Sequence, residues 1–100
     1  MLFTGSKSID TGRSWCPDCV NAEPVIEAEL AELASYVFLE CPVEREQYRS
    51  PEYLYRTDER IKLRCVPTLQ RVALSGKAIA QLDDSQSQQA VLVQELLSDE

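Results

Sequence analysis

The stretch Ser14-Trp15-Cys16-Pro17-Asp18-Cys19 constrains this chain more than any other. Directly after it, Ala22, Ile26, Leu30 and Leu33 recur at spacings of three and four, the pattern of a helix with one buried face. Pro17 suits the first helical position, because the N–H it lacks would find no partner there. The helix is therefore expected to begin near Cys16, with Glu23, Glu27 and Glu32 off the apolar face and a kink at Pro24. This places two thiols three residues apart at a helix entrance.

A CxxC pair can be a redox centre, half of a metal site or a static disulfide. The first turn of a helix leaves N–H groups unpaired and carries partial positive charge, and both favour a thiolate. Cys16 is expected at the entrance and exposed, with Cys19 one turn deeper and within reach. In such a dithiol Cys16 attacks a substrate disulfide, and Cys19 then attacks Cys16 to release the reduced substrate. Asp18 favours the helix start but opposes a nearby thiolate. Trp15 is either a packing residue or a shield and substrate contact beside Cys16. Zinc prefers four ligands. Cys41 and Cys65 are isolated and the chain has no histidine, so no second ligand pair is legible and no metal or cofactor is expected. The missing histidine also excludes a Cys-His hydrolase. Cys41 is expected to be buried and inert at the end of a strand, and Cys65 to be structural.

Around this motif the chain reads as strand fragment, helix, strand, helix, strand, strand, helix. Leu2 and Phe3 end a strand before the turn-forming Thr4-Gly5-Ser6, and residues 6 to 14 form a polar loop. Residues 36 to 41 read as a buried strand, 42 to 52 as a polar loop and 52 to 63 as a short helix. Residues 68 to 74 and 77 to 82 form a hairpin turning at Ser75-Gly76. A final helix spans 86 to 97, with Ser85 as its N-cap and Ala90, Val93 and Leu97 on one face. A Val-Pro-Thr at 66 to 68 opens the hairpin, where Pro67 is a candidate cis proline.

Length and composition bound the rest. One hundred residues, 44% hydrophobic and 27% charged, suit a single globular domain over 1–100. No apolar run is long enough to span a membrane. The first residues do not read as a signal peptide, so a cytoplasmic location is expected, where thiols stay reduced. A net charge of −7 argues against nucleic acid. Residues 45 to 71 are locally +3, either a solvated helix face or a docking surface for an acidic partner.

Together, the CxxC helix start, Pro24 five residues beyond Cys19, and Val66-Pro67-Thr68 at the hairpin resemble the thioredoxin superfamily. The fuller set is Phe3-Thr4-Gly5-Ser6-Lys7, Ser14 to Val20, Ala22-Glu23-Pro24-Val25 and Val66-Pro67-Thr68-Leu69. This set is similar to the WCPDC-type thioredoxin-related proteins, which include the Clot-type proteins. The resemblance implies an α/β, thioredoxin-like three-layer fold, a mixed β-sheet flanked by helices. Measured against that family the chain is expected to lack the usual first strand and helix. The resemblance further implies a disulfide reductase fed by thioredoxin reductase, acting on small or selected protein disulfides. By position Cys16 would be the nucleophile and Cys19 the resolving cysteine, facing Pro67, with Trp15, Pro17 and Asp18 as motif neighbours. The alternatives are a non-catalytic thioredoxin-like interaction module and, less favoured, a zinc-binding module.

Overall fold

A computed structural model describes residues 1–98. Strands β1 (Leu2–Gly5), β2 (Glu40–Val43), β3 (Thr68–Val72) and β4 (Ala78–Leu82) form one mixed sheet in the order β2-β1-β3-β4. β1 and β2 run parallel, with Phe3 opposite Cys41 and Gly5 opposite Val43. β3 is antiparallel to both β1 and β4, with Leu2 opposite Leu69 and Leu69 opposite Leu82. A parallel pair needs a crossover, and α1 (Pro17–Leu30) supplies it.

α1 starts where Pro17 predicts, with Cys16 as its N-cap, and passes Pro24 as one helix. Its buried residues are Cys19, Ala22, Ile26 and Leu30. The last three pack with Leu2, Leu69, and Val93 and Leu96 of α4 (Ala90–Leu97). Burying side chains such as Ile26 and Leu69 contributes about 1.5–3 kcal/mol each. Adjacent strand residues point to opposite faces. Leu2 therefore joins this helical core, whereas Phe3 joins a second cluster with Cys16, Cys19, Val43, Leu63 and Val66. Tyr55 of α3 (Leu54–Thr57) packs edge-on against Phe3, with ring centroids 5.2 Å apart. The result is a mixed four-stranded sheet with flanking helices, the thioredoxin-like α/β architecture that the sequence resemblance implies.

Several local expectations are corrected. The strand expected at 36–41 lies instead at Glu40–Val43. Tyr36, Val37 and Leu39 are exposed, Val37 by 89%. The ladder starts at the Leu2–Glu40 pair, and the Leu2 N–H takes the Leu39 carbonyl at 2.8 Å. Residues 36 to 38 lie beyond the register of β1, so their β propensity goes unused. The polar loop expected at 42–52 holds the end of β2 and a one-turn helix, α2 (Arg45–Arg49). The helix expected at 52–63 shrinks to α3, because the Asp58 carboxylate turns back to accept the Arg60 N–H at 2.8 Å. Lys62 then takes a left-handed φ of 46°.

At the C-terminal end the single expected helix divides into a 3₁₀ turn, Gln86–Gln88, and α4. Ser85 makes no capping bond. Asp83 and Gln86 cap each other instead: the Gln86 N–H donates to Asp83 Oδ1 at 2.8 Å, and the Asp83 N–H donates to Gln86 Oε1 at 3.0 Å. Val93 and Leu96 face the core, while Ala90 is exposed and Leu97 half-buried.

Candidate active site

Cys16 is the N-cap of α1, and its Sγ accepts the Cys19 N–H at 3.3 Å. The sulfur thereby occupies the place of the oxygen in an ordinary Ser or Thr cap and satisfies a donor the helix leaves unpaired. The Cys16 N–H donates to Ser14 Oγ at 3.1 Å. On the far side, the Cys16 thiol lies 3.5 Å from the Val66 carbonyl. Val66 and Pro67 are joined by a cis peptide bond, and Pro67 is fully buried. The structure thus brings two separate parts of the sequence pattern together, the Cys16–Cys19 pair and the Val66–Pro67 peptide.

One expectation about Cys16 fails. It is not exposed: only 6% of its surface is accessible, because the sulfur turns inward to the Val66 carbonyl among Phe3, Val43 and Val66. Cys19 is completely buried. Burial is the main force pushing its thiol up to about 12, seconded by the hydrogen bond with Cys16. The Gly5 N–H, which donates to Cys19 Sγ at 3.3 Å, works in the opposite direction. Pro17 is exposed and Asp18 half-buried in the first turn of α1.

Trp15 is held by its indole. Nε1 donates to the Val43 carbonyl at 2.8 Å, and the ring lies 5.6 Å from that of Tyr48. With Arg13, Pro17 and Val20 it lines a shallow cavity of about 370 Å³ beside the cysteines. Cys41 is half-buried rather than buried, with burial pushing its thiol up. Cys65 is also half-buried, its sulfur 3.6 Å from Thr68 Oγ1, and it lines a separate cavity of about 360 Å³. Within the basic stretch, Arg56 donates to the Tyr48 carbonyl, whereas Arg60 stays on the surface, paired with Asp58 two residues away.

Sequence reading did not assign site roles to Gly5, Ser14, Val43, Tyr48 or Val66. Gly5 has a specific reason to be glycine. A Cβ there would meet Ser14 Oγ at 2.6 Å and both Cys16 Cβ and a Trp15 ring carbon at 3.0 Å. Its absence lets the end of β1 come against the Trp15-Cys16 turn. Val43 and Val66 contribute backbone carbonyls, which any residue carries; no sequence signal marks Val43, and the Val-Pro-Thr motif marks Val66 only as the neighbour of Pro67.

A family model described as thioredoxin domain-containing protein 17-like, thioredoxin domain, matches residues 1–99. The chain belongs to this family. Thioredoxin-like protein Clot of Arabidopsis thaliana is 40% identical to it over 101 residues, covering 98% of this chain and 74% of that protein. Thioredoxin domain-containing protein 17 of Homo sapiens is 38% identical over 100 residues, covering 98% and 76%. An acireductone dioxygenase of Leishmania braziliensis is 46% identical over 77 residues, which are 69% of this chain. The match spans only 22% of that longer protein's length. Within this thioredoxin domain, the cysteine pair and Gly5 meet at the end of β1 and the start of α1, and the Val66–Pro67 cis peptide reaches Cys16 from the entrance to β3.

Proposed function

We propose that this thioredoxin-domain chain is a thiol–disulfide oxidoreductase that reduces disulfides through Cys16 and Cys19. The observation that carries the reading is the position of Cys16 as N-cap of α1. There it accepts the Cys19 N–H at 3.3 Å and stands 3.5 Å from the carbonyl that precedes Pro67. Negative charge developing on Sγ meets a backbone donor and the positive end of the helix.

The two thiols take different roles because their surroundings differ. Cys19, with its pKa pushed up to about 12, stays protonated at neutral pH, so the first attack on a disulfide falls to Cys16. The Cys16 thiolate attacks one sulfur of the substrate, forms a mixed disulfide and releases the other sulfur as a thiol. Cys19 then gives up its proton and attacks Cys16 Sγ. The substrate's second sulfur leaves and is protonated, and Cys16 and Cys19 remain as a disulfide. Two electrons pass from the dithiol to the substrate. Thioredoxin reductase is the proposed donor that returns them, in the cytoplasm, where the thiol pool is reducing. The cavity beside Trp15 and Pro17 offers room for the chain flanking a substrate disulfide. Trp15, Pro17, Asp18 and Pro67 act as site neighbours in this scheme, shaping the approach to Cys16.

The test is turnover of a small disulfide coupled to thioredoxin reductase and NADPH. Cys16→Ser is expected to abolish turnover, and full activity in that variant would remove the mechanism. Cys19→Ser is expected to accumulate a mixed disulfide at Cys16, visible by mass spectrometry.

A further inference from the structure

Tyr48 belongs to the segment read from sequence as a polar loop, yet it touches both halves of the site. Its ring centroid lies 5.6 Å from that of Trp15, the residue covalently preceding Cys16. Its hydroxyl donates to the Arg64 carbonyl at 3.5 Å. Two residues after Arg64, the Val66 carbonyl stands 3.5 Å from Cys16 Sγ. The contacts close a circuit that runs from Cys16 through Trp15 and Tyr48 to the 64–66 segment and back to Cys16.

Tyr48 is itself anchored from α3. Arg56 Nε and Nη2 both donate to its carbonyl, at 2.9 and 2.6 Å. The Arg56 guanidinium carbon lies 4.2 Å from the Tyr48 ring centroid, within range of a cation–π contact. Trp15 has its own second support, the bond from Nε1 to the Val43 carbonyl. Tyr48 is therefore a side chain through which α2 and α3 bear on Trp15 at the CxxC turn.

The geometry points to Tyr48 as a positioning residue: its ring, backed by Arg56, fixes the Trp15 indole and sets the gap between Cys16 and the Val66 carbonyl. This rests on the reading of Cys16 as the attacking thiol. A substrate disulfide has to align with Sγ in that gap, and a small misplacement of the reacting sulfur lowers the rate sharply. Tyr48 touches no reacting atom and acts through Trp15 and Arg64. The ring contact outweighs the hydroxyl, whose 3.5 Å bond is long.

Trp15 is the single tryptophan, so its emission reports on this contact. The experiment compares the full chain with Tyr48→Leu, Tyr48→Phe and Arg56→Gln. It measures Trp15 emission, the pH profile of Cys16 alkylation by iodoacetamide, and kcat and KM for a small disulfide. Tyr48→Leu is expected to shift the emission, move the alkylation profile and lower kcat/KM about tenfold, chiefly through kcat. Tyr48→Phe keeps the ring and is expected to recover all three to within about threefold. Arg56→Gln is expected to move them in the same direction as Tyr48→Leu, by less. Emission and alkylation need no turnover, so a chain that reduces no disulfide would count against the proposed function alone. A folded Tyr48→Leu with wild-type emission and a wild-type alkylation profile overturns the positioning role. If Tyr48→Leu does not fold, the same unchanged pair of readings in Arg56→Gln overturns it.

Discussion

The Cβ that Gly5 lacks would stand 3.0 Å from the Cβ of Cys16. That missing atom allows the last residue of β1 to lie against the CxxC turn while its N–H reaches Cys19 Sγ at 3.3 Å. Gly5→Ala is expected to cost about 1–3 kcal/mol in denaturant melts, as overpacking a filled interior does. It is also expected to slow alkylation of Cys16. Gly12→Ala is the contrast. Nothing lies within 4 Å of its would-be Cβ, but its φ is +70°. It is expected to cost about 1–2 kcal/mol through backbone strain while leaving Cys16 reactivity unchanged.

The two cysteines are expected to separate cleanly by reactivity. Under native conditions near neutral pH, iodoacetamide is expected to modify Cys16 before Cys19, because Cys19 is buried and its pKa is pushed up to about 12. Peptide mapping by mass spectrometry reads the order directly. Modification of Cys19 first would contradict it.

Cys19 also predicts an alkaline limit on stability. Its folded pKa of about 12 lies above the ordinary value of 9.0, so above pH 9 the unfolded chain gives up a proton that the folded chain keeps. Its contribution is complete below about pH 9 and is lost as pH rises toward about 12. Melting temperature is expected to fall more steeply across that window in the reduced wild type than in Cys19→Ala. Parallel slopes for the two proteins would contradict this.

Trp15→Phe removes the indole donor to the Val43 carbonyl but keeps an aromatic ring. The Val43 carbonyl retains the Ser6 N–H at 2.9 Å, so no acceptor is orphaned. The expected loss is about 0.5–1.5 kcal/mol, the ordinary net value of one hydrogen bond, measured by urea titration.

Val37 tests the strand that did not form. It is 89% exposed and lies outside the β1–β2 register. Val37→Thr is expected to change stability by less than about 0.5 kcal/mol, whereas Ile26→Ala, in the buried face of α1, is expected to cost about 2–5 kcal/mol. Thermal melts of the two variants separate an exposed apolar residue from a buried one.

The sequence by itself determined the start and buried face of α1, because Pro17 and the spacing of Ala22, Ile26 and Leu30 are local signals of helix geometry. It also determined the β3–β4 hairpin, which closes over Ser75-Gly76 with Gly76 at φ 89°. Its resemblance to the thioredoxin superfamily grouped Cys16, Cys19 and Pro67 as one candidate site. Tertiary structure decided what depends on partners distant in the chain. Residues 36 to 38 have the composition of a strand, but a strand needs a neighbour in register, and the register places β2 at Glu40–Val43. The burial of Cys16 follows from the approach of Val66, 50 residues away. The close fit at Gly5, the carbonyl of Val43 under Trp15 and the reach of Tyr48 from α2 to the CxxC turn have the same origin. A local pattern records which way a segment bends and which face is apolar. Which backbone carbonyl or ring then meets a given sulfur is set only when strands and helices close around it.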